Sequence, residues 1–199
     1  MNNRTARTTT GPVAVILALG MWMGIPPARA QETPTSFRWT LEVPETGTLI
    51  IDLAPGWTPH SPQGGDGLAD WRATTANRCE MNVHIVASPV PDAAFNGPTA
   101  LRDFVRRQAE ALLPEAIEAR YTLVELRGHE AGGYYFALRE RAPRHKQAAY
   151  ITQGAIGLGN LRVEFTFRGP APDLPEIQKA LSALAAARLD RHEAEGGSP

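Results

Sequence analysis

The sequence predicts an α+β domain: a mainly antiparallel β-sheet flanked by helices. Three observations carry this. First, residues 161–168 alternate without a break, with Leu161, Val163, Phe165 and Phe167 on one face and Arg162, Glu164, Thr166 and Arg168 on the other. Period-two alternation means a strand with one buried and one wet face. Second, Gly159-Asn160 joins that strand to the preceding run, 148–158, and glycine suits a primed hairpin turn because it takes positive φ without strain. Third, the stretch 99–113 and the stretch after Asp173 carry helical rather than alternating spacing of apolar residues. Runs of strands separated by single helices argue α+β with the helices covering the sheet.

The elements follow in order. Residues 37–43 set Phe37, Trp39, Leu41 and Val43 against Arg38, Thr40 and Glu42, a first strand. The turn Pro44-Glu45-Thr46-Gly47 leads into a second strand, 48–53, with Leu49, Ile51 and Leu53 on one face. Pro55-Gly56-Trp57 stops it. The Pro/Gly-rich stretch 55–70 reads as one long loop. Loops of that length without structure of their own are uncommon and are either functional or mobile. Residues 71–75 and 78–86 give a third and a fourth strand. Cys79 shares parity with Met81, Val83 and Ile85, which predicts a buried thiol. Thr99 is the expected N-cap of the first helix, whose stripe is Leu101, Phe104, Val105, Gln108, Ala109 and Leu112. Pro114 ends or kinks it. Residues 121–127 and 134–141, joined by the Gly-rich turn 128–133, form a first hairpin; 148–158 and 161–168 form a second. In the closing helix Asp173 and Glu176 have capping-box spacing, and Pro175 sits in the first turn, where its missing N–H is harmless. Ile177, Leu181, Leu184 and Leu189 make the buried stripe. Arg188 and Arg191 fall near the negative end of the dipole.

The N-terminus reads as a signal peptide, residues 1–30. Arg4 and Arg7 precede an apolar run, 13–25, that is short for a membrane span, and Ala28-Arg29-Ala30 is a small-x-small cleavage site. Cleavage between Ala30 and Gln31 predicts a periplasmic or secreted protein with no stable membrane span after signal removal. Residues 31–36 read as a flexible leader, 37–190 as a single domain and 191–199 as a disordered tail. Processing leaves 169 of the 199 residues and removes Arg4, Arg7 and Arg29 but no acid, so the formal charge goes from −1 to −4. A mildly acidic chain lacks the basic footprint of a nucleic-acid binder. One cysteine permits no intramolecular disulfide, so the core must hold the fold.

The residues that carry chemistry are scattered. The five histidines show no helical zinc spacing. His84 lies with Glu80 and Asn82 on the face opposite Met81 and reads as a hydrogen-bonded surface histidine rather than a metal ligand. There is no Gly-x-Ser-x-Gly elbow and no phosphate loop. No cofactor is expected. Arg139, Arg141, Arg144, His145 and Lys146 cluster around Pro143, with Arg162 and Arg168 as further members across the sheet. The cluster reads as a solvated strand edge that blocks pairing, or as a docking patch for an acidic partner or anionic head groups. Trp57, His60 and Trp71 bracket the long loop, either as buried tryptophans or as an exposed aromatic pair at a pocket mouth.

The chain also resembles the Mog1/PsbP-like superfamily, in particular its exported bacterial DcrB-related members. The matching features are Leu49-Ile50-Ile51-Asp52-Leu53-Ala54-Pro55-Gly56-Trp57, the helix 101–113, Gly132-Gly133-Tyr134-Tyr135-Phe136, Tyr150-Ile151-Thr152-Gln153-Gly154, the strand 161–167, and the closing helix with Leu181 and Leu184. They span most of residues 41–189. The resemblance implies an α/β/α sandwich. It also implies partner binding or assembly rather than catalysis, since no catalytic residue set belongs to the shared pattern. The expectation is therefore a non-catalytic binding or assembly module with an envelope protein partner. The alternative is a small-molecule or metal carrier with a pocket near residues 57–70; an uncharacterised enzyme ranks third.

Overall fold

The computed structural model describes residues 36–63, 68–90, 92–143 and 149–191. The signal segment with Ala30 and Gln31, the tail from His192 onward, and Arg144, His145 and Lys146 of the basic cluster lie outside them.

The domain is α+β, with two antiparallel sheets. The smaller holds β1 (Phe37–Val43), β2 (Gly47–Leu53) and β10 (Arg188–Asp190) in the order β1-β2-β10. The larger has seven strands: β3 (Trp57–Gln63), β4 (Ala69–Thr75), β5 (Glu80–Ala87), β6 (Val124–Arg127), β7 (Gly132–Arg139), β8 (Tyr150–Leu158) and β9 (Leu161–Gly169). Their order is β3-β4-β5-β9-β8-β7-β6. Among the described residues three α-helices accompany them: the short α1 (Ala93–Asn96), α2 (Pro98–Leu112) and α3 (Pro175–Ala185).

The alternation in the sequence becomes two cores. Met81, Val83 and Ile85 of β5 and Val163, Phe165 and Phe167 of β9 face Trp39, Leu49, Ile51 and Leu53 of the small sheet and Ile177, Leu181 and Leu184 of α3. The Trp39 and Trp71 rings meet there at 4.7 Å between centroids. On the other face, Leu101, Val105 and Ala109 of α2 pack on Phe136 and Leu138 of β7 and Ala155 of β8. β8 is thus covered on both faces, which is why its buried residues run nearly continuously instead of alternating. Gly159 turns β8 into β9 with φ of 60°, as a primed turn requires.

Several boundaries differ from the sequence-based expectation. The stretch 55–70 is not one loop, because Trp57–Gln63 pairs with β4 as β3. Pro59 and Pro62 are tolerated because β3 is a sheet edge, where a missing N–H breaks no ladder. The N-cap of α2 is Gly97 with Pro98 at the first helical position, not Thr99. The Asp173–Glu176 capping box does not form: Leu174 caps α3 with no side-chain bond, and Glu176 instead accepts from Asn77 at 2.5 Å. Arg188 and Leu189 leave the helix and form β10 on the free edge of β2. At Gly47, φ is 136° and the β10 backbone crosses where a Cβ would stand, so this turn needs glycine.

Candidate binding face

α2 packs mainly on β7 and β8 on its side of the large sheet and reaches β9 through Phe104. Register carries the uncovered half across β9, β5, β4 and β3. Asp70, His84 and Glu164 form one cross-strand row, and His60, Arg72, Asn82 and Thr166 the next. All of these side chains are exposed or half-buried, whereas their alternates Trp71, Val83 and Phe165 are buried.

The row residues are organised by pairing. His84 Nδ1 and Asp70 Oδ1 are 2.6 Å apart. Arg162 Nε donates to Glu164 at 2.8 Å, and its guanidinium lies 4.5 Å from the Phe95 ring centre and 4.4 Å from that of Phe104. Arg162 therefore ties α1 and α2 to β9. The rim of α2 meets this face in a groove of about 200 Å³ lined by Asp70, Arg72, Asn82, His84, Phe104 and Glu164, among others. Among the described residues no group of three or more His, Cys, Asp or Glu side chains is placed to hold a metal ion.

The basic cluster divides. Arg139, the last residue of β7, is exposed and lies 5.7 Å over the Tyr150 ring. Arg141 is beyond the strand, and its guanidinium donates to the Ala116 carbonyl at 3.0 Å, which fixes the segment after α2. Strand parity thus does not put Arg139 and Arg141 side by side. Arg168 bonds Glu140 at 2.6 Å on the α2 face, and Arg162 is at the far end of β9. Neither extends a patch around Arg139.

Trp57 and Trp71 are core residues, 6% and 5% exposed, so they do not make an exposed aromatic pair at a pocket mouth. Both point to the main core by the parity that leaves His60 outside, where its Nε2 lies 3.0 Å from Thr74 Oγ1. Cys79 is fully buried, as its parity with Met81 predicts, and burial pushes its thiol pKa up, away from nucleophile chemistry.

Sequence reasoning placed Asn82 and His84 on a wet face. It missed Asp70 and Arg72, which it assigned to a loop end and to an unpaired strand. Only cross-strand register brings the four together. Fold and face together define an α+β domain with one half-covered sheet. No protein-family model and no curated protein matches this chain.

Proposed function

We propose that this protein is an exported, non-catalytic binding module of Mog1/PsbP-like type, and that it docks an envelope protein through the open half of its large sheet. The observation that supports this is the half-covered face. A broad array of polar side chains on hydrogen-bonded strands is suited to a protein surface, and its internally paired charges need little reordering on binding. Export rests on the processing signals in residues 1–30. Among the described residues, no helix is long and apolar enough to cross a membrane. The carrier alternative loses its aromatic pocket, since Trp57 and Trp71 serve the core.

Photo-crosslinking amino acids placed singly at Thr58 and Glu80, both exposed on this face, test the reading in native cells. Lys179 on α3 is the control. Capture of the same envelope protein from Thr58 and Glu80, and not from Lys179, is expected. Equal capture from all three positions, or none from the face, would sink the proposal.

A further inference from the structure

We propose that the groove beside α2 anchors an acidic side chain of the partner, with the Arg72 guanidinium receiving its carboxylate. This rests on the open half-sheet being the docking face. The first argument is charge. Each carboxylate in the groove has its own partner, Asp70 with His84 at 2.6 Å and Glu164 with Arg162 at 2.8 Å. Arg72, exposed at the groove, has no ion-pair or hydrogen-bond partner for its side chain among the described residues. The groove therefore offers one guanidinium with no carboxylate bound to it, while both groove carboxylates are already hydrogen-bonded, Asp70 with the His84 ring and Glu164 with Arg162.

The second argument is hydrogen bonding. Asn82 and Thr166 stand beside Arg72 in the same cross-strand row, and their side chains likewise have no partner among the described residues. Neighbouring strands are about 4.8 Å apart. A carboxylate held in the planar fork of Arg72 has the Asn82 amide one strand away, and the Thr166 hydroxyl is left for the backbone of the bound segment. The half-buried Phe104 ring supplies an apolar wall for the methylene stem of the acid.

The third argument is size. The groove holds about 200 Å³, below the roughly 300 Å³ at which small-molecule sites begin. That volume suits one side chain of a larger partner better than a free metabolite.

The test uses the purified protein and ¹⁵N NMR. The probes are N-acetyl-glutamate N-methylamide, its glutamine counterpart and inorganic phosphate. The glutamate probe is expected to shift the Arg72 Nε and Asn82 amide signals saturably. The glutamine probe should bind about tenfold or more weakly, reflecting one lost charge-assisted contact. Arg72→Gln should lower the glutamate probe to the glutamine level without changing the Tm. Equal binding of the two probes, shifts confined to other surfaces, or tighter binding of phosphate than of glutamate would each overturn the proposal, the last by making this a small-anion site. In the crosslinking experiment, undiminished capture from Glu80 in Arg72→Gln removes the anchor but leaves the docking face. Absence of capture from every face position in the protein that keeps Arg72 removes the docking face itself.

Discussion

Cys79 and Thr152 show how much a single buried side chain depends on its partners. Cys79 is 0% exposed at the foot of β5, with only a weakly polar S–H to bury. Native protein should therefore react slowly with a thiol reagent and denatured protein quickly. Cys79→Ser should cost about 1–2 kcal/mol, because a more polar hydroxyl replaces the thiol in a fully buried site whose polar side-chain neighbour is Thr75. Fast labelling of the native state would contradict this. Thr152 is the converse case. It is 1% exposed on the main-core face of β8, and its hydroxyl has no hydrogen-bond partner among the described residues. An orphaned buried hydroxyl costs roughly 1–3 kcal/mol in desolvation. Thr152→Val keeps the shape and the β-branch, so chemical denaturation should show a gain of about 1 kcal/mol. A loss of stability would mean that the hydroxyl is satisfied after all.

At the scale of elements, the small sheet is tied on its outer side by Asp52. Arg38 of β1 donates to it at 2.5 Å and Arg188 of β10 at 3.0 Å, so one carboxylate on β2 joins both neighbours. These bonds, Arg38 first, hold the Asp52 pKa below its ordinary value of 3.8. A carboxylate depressed in the folded state stabilises the fold fully above its unfolded pKa. That contribution is lost as pH falls from 3.8 through the lower folded value. The groups are 59% and 42% exposed in the Arg38 pair, so the effect is small and salt-sensitive. The stability advantage of wild type over Asp52→Asn, measured by denaturation, should be present at neutral pH. It should shrink below pH 3.8 and in about 1 M salt. An advantage that grows on acidification would show that the carboxylate is not bound in this way. Arg188 was expected to serve a helix dipole; its actual work is between strands.

For the whole molecule, the decisive feature is that a seven-stranded sheet is fully covered on one face and half covered on the other. The docking proposal depends on that asymmetry rather than on the basic cluster. Arg141 holds the Ala116 carbonyl, so reversing its charge would disturb the fold as well as any contact; Arg139→Glu alone is the cleaner probe of an edge patch. Export belongs to this scale as well. N-terminal sequencing of the protein from the envelope fraction should begin Gln31-Glu32-Thr33. An intact Met1 terminus in the membrane pellet would contradict cleavage after Ala30.

The sequence by itself determined the α+β class, the two hairpins of 121–168, the apolar stripes of α2 and α3, and the burial of Cys79. These are local signals: alternation and helical spacing report which side of an element is apolar whatever it packs against. The tertiary structure alone decided that Trp57–Gln63 is a strand and that Arg188–Asp190 leaves the helix for β2. Prolines and a three-residue segment carry no periodic signal, and both strands exist because a neighbouring edge offers them a ladder. It also decided the candidate face. Asp70, Arg72, His84 and Glu164 lie on three strands, the last far from the others in the chain. Their juxtaposition is set by the register of β4 on β5 and of β5 on β9, which no single stretch of sequence encodes.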